Sequence, residues 1–271
     1  MTTKNIIKTL VALAIAFSVQ GCSTIAITGS ADVEKTAFNP HKKYAVVSIA
    51  SVKTMQGEKG MVNMFKSMDE IPGTNTQPII DKLKPAIYGA LGKNQLFTLV
   101  PEKSVLASKA YKGLAEDPHQ MQVMFMNLDM NEAGGYKYIS DEQKYAKLAK
   151  DLGVDGVIAL TFSFNVTQSK GFVSIMGISM GKKSYSATVS SSVVAYDQNG
   201  KTVWKDSTMK EAEPGDAKAI IVFDTSDFGG TNFEKFHPSA LDMATKGVQT
   251  LYARLDDTLA GRDVSSFQSV K

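Results

Sequence analysis

Tyr145-Ala146-Lys147-Leu148-Ala149-Lys150-Asp151-Leu152-Gly153-Val154-Asp155-Gly156-Val157-Ile158 passes from one periodicity to another. Tyr145, Leu148, Ala149 and Leu152 recur at helical spacing, and Gly153 is a stop signal because glycine accepts the left-handed conformation that ends helices. From Gly156 the run through Leu160 predicts a buried strand, with extension as far as Val166. Ser140, with Gln143 three residues on, predicts the cap that opens the helix. Asp155 reads as a residue that shapes the helix-to-strand turn rather than as a site residue. A helix turning straight into a buried strand is a unit of a sheet with helices packed on it.

Working outward, the same two periods recur. Upstream, Tyr44 to Ala50 predicts a first buried strand, followed by a polar loop from Ser51 to Thr76. Pro78 to Leu91 predicts a helix burying Ile79, Ile80, Leu83, Ile87 and Leu91, capped by Thr76 and blemished by Pro85. Leu96 to Val100 predicts a second strand, and Pro101-Glu102 opens a helix reaching Lys112. Residues 113–139 carry no clear period. Downstream, Ser184 to Asp197 alternates serine and threonine with Ala187, Val189, Val193 and Ala195. Asp197-Gln198-Asn199-Gly200 is a hairpin signal, and Lys201 to Thr208 returns with Trp204 facing the core. Ile220 to Phe223 predicts an edge strand. Pro238 to Leu259 predicts a closing helix, with Leu241, Ala244, Val248, Leu251, Leu255 and Leu259 on one side. The expected class is α+β, a mixed sheet with helices in two or three layers.

The amino terminus has a different character. Lys4 and Lys8 precede an apolar run from Leu10 to Phe17, too short to cross a bilayer and of signal-peptide length. It ends at Val19-Gln20-Gly21-Cys22, which resembles a bacterial lipoprotein signal with its lipobox. Cys22 is the single cysteine of 271 residues. The resemblance implies cleavage before Cys22, acyl chains including palmitate on that residue, and firm membrane anchoring. Ser23, where aspartate would mark inner-membrane retention, implies the outer membrane, periplasmic side. A buried amphipathic helix and a signal peptide cut elsewhere are the alternatives. The expected organisation is residues 1–21 as signal peptide, 22–41 as flexible tether and 42–262 as one domain.

Charge excludes some classes. The chain's formal charge is +3, and removing residues 1–21 takes away two lysines and no acid, leaving +1. Nothing in that balance asks for nucleic acid. With no second cysteine, no disulfide within the chain can support the core.

Residues 145–158, and Ala195-Tyr196-Asp197-Gln198-Asn199-Gly200-Lys201-Thr202-Val203-Trp204, resemble two passages of TolB amino-terminal-like and curli-secretion (CsgG)-like periplasmic domains. Tyr44 to Ile49 and Phe97 to Val100 fit their earlier strands, so the similarity spans about residues 42–208. It implies a non-enzymatic envelope domain that docks a protein partner, with no catalytic residue and no cofactor to carry over. A curli-type oligomeric secretion channel and a Met-rich metal- or ligand-binding lipoprotein are the alternatives.

Chemistry-bearing residues are sparse. Met55, Met61, Met64 and Met68 form one methionine cluster, and Met121, Met124, Met126 and Met130 another. Met61 with Met64, and Met121 with Met124, have the spacing of one helical turn, and thioethers suit Cu(I). Adaptable packing is the simpler reading. His41, His119 and His237 lie far apart beside loops and read as surface residues. Asp224, Asp227, Asp256 and Asp257 have no calcium-loop spacing. No nucleophile elbow, P-loop or dinucleotide fingerprint is present. Gly171 to Gly181 is apolar and glycine-rich, either a loop folded over the sheet edge or a surface for a partner or membrane. Loops 55–77, 113–139 and 170–181 are the expected contact surfaces.

Overall fold

The structure, a computed structural model, describes residues 25–27, 31–57, 72–92, 95–123, 126–168, 182–211, 220–224 and 232–264. Within them the strands are β1 (Ile25–Ile27), β2 (Asp32–Val33), β3 (Lys43–Val52), β4 (Gln56–Gly57), β5 (Thr98–Leu99), β6 (Gln120–Val123), β7 (Met126–Glu132), β8 (Gly156–Gln168), β9 (Lys182–Asp197), β10 (Thr202–Glu211) and β11 (Ile220–Asp224). The helices are α1 (Gln77–Gly92), α2 (Glu102–Ala107), α3 (Lys109–Lys112), α4 (Glu142–Leu152) and α5 (His237–Leu259).

The stretch 145–158 does what its periods predict. Gly153 ends α4 with φ 64°, and β8 starts at Gly156. β8 lies parallel to β3, with Tyr44 opposite Gly156 and Ser51 opposite Phe162. Parallel neighbours need a long crossover, and here it holds α1 to α4 together with β4 to β7. β9 runs antiparallel to β8 from Asp197 opposite Gly156 to Tyr185 opposite Gln168. Gly200, at φ 82°, closes the hairpin to β10. Across the sheet the order is β1-β10-β9-β8-β3-β7-β6. The fold is α+β with a mixed sheet.

Directly paired residues share a face of a sheet. Leu160, Val193 and Asp206 therefore share one face, and there Asp206 meets Arg254 of α5. Tyr196 faces the other way and stacks on Tyr145 of α4 at 4.9 Å between ring centroids. α1 packs against α5, and α3 against α4. Helices thus cover both faces, giving three layers. Trp204, Phe162, Phe164, Phe233 and Phe236 are buried in the main core, so Trp204 lies where its reading puts it. The alternating Thr161, Ser163, Asn165 and Thr167 of β8 are only half-buried.

Several local expectations change. The cap of α4 is Asp141, whose side chain accepts from Gln143 N, while Ser140 donates its hydroxyl to Asp117. At α1, Asn75 Oδ1 accepts from Gln77 N at 2.9 Å. The Thr76 hydroxyl instead donates to Val52 O at 2.7 Å, joining helix start to strand end. The expected helix from Pro101 to Lys112 breaks at Ser108, which is extended with ψ 149° and accepts from Tyr111 N. Residues 113–139, without a clear period, contain the hairpin of β6 and β7. Asp155 does not merely shape a turn. Its carboxylate accepts from Lys42 Nζ at 2.8 Å and Lys43 N at 2.9 Å, fastening the start of β3.

The amino-terminal stretch also differs from a free tether. Ile25, Ala26 and Ile27 pair with Lys210, Met209 and Thr208 of β10. Further along the same strand, Asp32 and Val33 pair with Lys205 and Trp204. Glu34 then gives its N–H to Val203 O at 2.9 Å, and Phe38 stacks on Tyr44 at 5.1 Å. Pairing through backbone needs no side-chain period, so a Ser/Thr/Gly-rich sequence conceals it. Among the described residues no helix is long and apolar enough to cross a membrane.

Candidate docking surface

The hairpin of β6 and β7 stands at one end of the sheet. β7 joins β3 through Met130, Asn131 and Glu132, opposite Val52, Ser51 and Ala50. β6 then pairs on β7 from Gln120 opposite Asp129 to Val123 opposite Met126. Among the described residues, no strand lies outside β6. Gln120 and Gln122 are exposed. The hairpin's apolar side is a small cluster of its own, with Met121 and Leu128 packed on Ala50, Val52, Met130 and Tyr138. That contact, separate from the main core, fixes the hairpin's angle.

Polar contacts secure its base. His119 lies between two carboxylates, its Nδ1 2.9 Å from Glu132 Oε2 and its Nε2 3.3 Å from Glu116 Oε2. Burial lowers the His119 pKa, but the two carboxylates outweigh it and the net shift is upward. Burial pushes Glu132 up against the pull of His119. Asp117 accepts from Ser140 N at 2.8 Å and from the Lys144 ammonium. Those bonds hold its carboxyl below the ordinary value although burial opposes them. On the inner side, Asn131 Nδ2 donates to Asn75 Oδ1 at 2.9 Å and to Thr76 Oγ1 at 3.2 Å. The free strand is therefore carried on a base fixed to α1, α4 and β3, which is how rigid scaffolds present recognition segments.

The far end of the sheet is built differently. A groove there is lined by Glu34, Thr36, Lys42, Asp155, Asn199 and Lys201. Lys42 pairs with Asp155 at 2.8 Å and Lys201 with Glu34 at 2.6 Å, so its charges are matched within the chain.

The residues singled out in the sequence do not assemble into one site. Cys22, Met61, Met64 and Met124, with Asp227 and residues 171–181, lie outside the described residues. Met121 is on strand β6 rather than a helix, so the helical-turn spacing with Met124 does not apply there. Met55 and Met130 are buried packing residues. His41 sits at a turn, while His237 places Nε2 2.7 Å from Gly73 O. Asp224 pairs in register with Lys182, and Asp256 and Asp257 both bind Arg262. Among the described residues, no three or more His, Cys, Asp or Glu side chains have metal-site geometry. Glu116 and Glu132 take opposite ring nitrogens of His119 and share no point. Sequence reading passed over both glutamates. Glu116, three residues before His119, was the available signal.

No family model and no curated protein matches the chain. Among solved structures it is similar to the LpoB C-terminal domain from Salmonella enterica, at 13% identity over 63% of this chain and 83% of that one, with a TM-score of 0.30. It is also similar to the PelC dodecamer from Paraburkholderia phytofirmans, at 11% identity over 85% of this chain and 97% of that one, with a TM-score of 0.33. The LpoB C-terminal domain from Escherichia coli aligns at 13% identity over 72% of this chain and 92% of that one, with a TM-score of 0.28. These are LpoB and PelC chains, not the TolB or curli-secretion domains that the sequence passages resemble.

Proposed function

We propose that this chain is a non-enzymatic envelope domain, anchored by acyl chains on Cys22 to the periplasmic side of the outer membrane, and that it docks a protein partner along β6. The TolB-like and curli-secretion-like passages supply the class. The observation that carries the docking reading is the open outer side of β6 among the described residues, on a hairpin with a braced base. A strand edge offers unpaired N–H and C=O groups that an extended partner segment can complete. Exposed Gln120 and Gln122 leave that edge without the lysine or proline that commonly blocks pairing. Lipid confinement near the partner raises the effective concentration and compensates for a small contact.

A photocrosslinking residue at Gln122, compared with one at Asn199 in the far turn, tests the reading in cells. A discrete adduct of higher mass from position 122, and none from position 199, is expected. No adduct from 122, or the same adducts from both positions, would count against docking on β6.

A further inference from the structure

We infer that the end of β10 where Ile25 meets Lys210 lies at close range to the bilayer surface, with the Asp197–Gly200 turn directed away from it. This rests on the lipid on Cys22 proposed above. Two residues, Ser23 and Thr24, separate Cys22 from Ile25, so three backbone steps span about 10 Å at full extension. Ile25 is not the start of a swinging linker. It is opposite Lys210, near the last residue of β10, and β2 pairs further back on the same strand, with Val33 opposite Trp204. The Glu34 N–H on Val203 O and the Lys201–Glu34 ion pair continue that seam to the far end. The lipid is thereby coupled to the whole length of one strand.

Other strands run on past that point in the same direction: Lys210 pairs with Val189, Gln168 at the end of β8 pairs with Tyr185, and Asp224 at the end of β11 pairs with Lys182, the first residue of β9. At the other end, the ion pairs of Lys42 and Lys201 satisfy the charges internally. Strand rise over the ten residues of β10 sets the two ends about 30 Å apart. A linker of two residues cannot average over that distance, whereas a long flexible one would.

The test uses lipidated protein in vesicles of phosphatidylethanolamine and phosphatidylglycerol containing a nitroxide-headgroup lipid. Cys22 is the single cysteine and its sulfur is consumed by the thioether, so Glu211→Cys or Asn199→Cys each supplies one thiol for a fluorophore. Both positions are exposed. Quenching several-fold stronger at 211 than at 199 is expected. A Gly/Ser linker of about 20 residues after Thr24 should bring the two close together. Equal or reversed quenching, with lipid on Cys22 verified by mass, overturns the orientation and leaves the anchoring reading intact. An unmodified Cys22 overturns both. A preference that survives the linker unchanged also overturns the proposal, because something other than the anchor would then set the orientation.

Discussion

His119 binds a different glutamate through each ring nitrogen, one of them from the end of β7. Its pKa is raised in the folded protein: burial acts against the charge, and Glu132 and Glu116 more than offset it. A histidine with a raised folded pKa contributes stability fully below its unfolded value, about 6.5, and that contribution is lost as pH rises through the folded value. The ring is half exposed, so the effect is modest. His119→Gln is expected to flatten the fall in stability between about pH 6 and 8, read from urea midpoints at the two pH values. An unchanged slope would contradict the clamp. At this scale the sequence was legible where one residue type has one conformational role, as at Gly153. It was less so where neighbours compete for a role. Asp141 caps α4 where Ser140 was expected, because Asp117, distant in sequence, takes Ser140 instead. Asp155 fastens β3 through Lys42 and Lys43, residues more than a hundred positions away that no local pattern reveals.

Among the elements, α5 and β10 are joined by a buried ion pair. Arg254 gives Nε to Asp206 Oδ2 at 2.7 Å and Nη2 to Oδ1 at 3.1 Å, and both side chains are almost wholly enclosed. Burial pushes the Asp206 carboxyl above its ordinary value, against the pull of the guanidinium. Arg254→Met would leave that carboxylate unpaired, at an expected cost of about 3–5 kcal/mol. Adding Asp206→Leu should recover most of the loss. Urea unfolding of the three proteins measures both steps, and a single-variant loss under about 1 kcal/mol would contradict the role given to the pair. Long elements with sustained periods, α1, β3, α4, β8, β9, β10 and α5, were legible. The hairpin of β6 and β7 was not, because Met124-Phe125, the sequence between the two strands, carries none of the Gly, Asn or Asp residues that signal a hairpin. β1 and β2, of three and two residues, are too short to show a period.

For the whole molecule, the sequence suggests an anchor and a sheet but not their relation. That relation comes from the register of Ile25 on Lys210, which puts Cys22, the proposed lipid site, three positions along the chain from a paired strand. β10 is lined by the chain's own amino-terminal strands, whereas β6, at the opposite side of the sheet, has no described strand beyond it. The proposed anchor and the open strand of β6 therefore lie on opposite sides of the sheet. The docking edge was only partly legible, since 113–139 was singled out as a loop and not as a strand.

The central claim stands on acylation of one sulfur, and the intact mass of the membrane-extracted protein tests it most directly. The account predicts a chain that begins at Cys22 and carries three acyl chains there. A chain still beginning at Met1, or a mature one with a free Cys22 thiol, would contradict it.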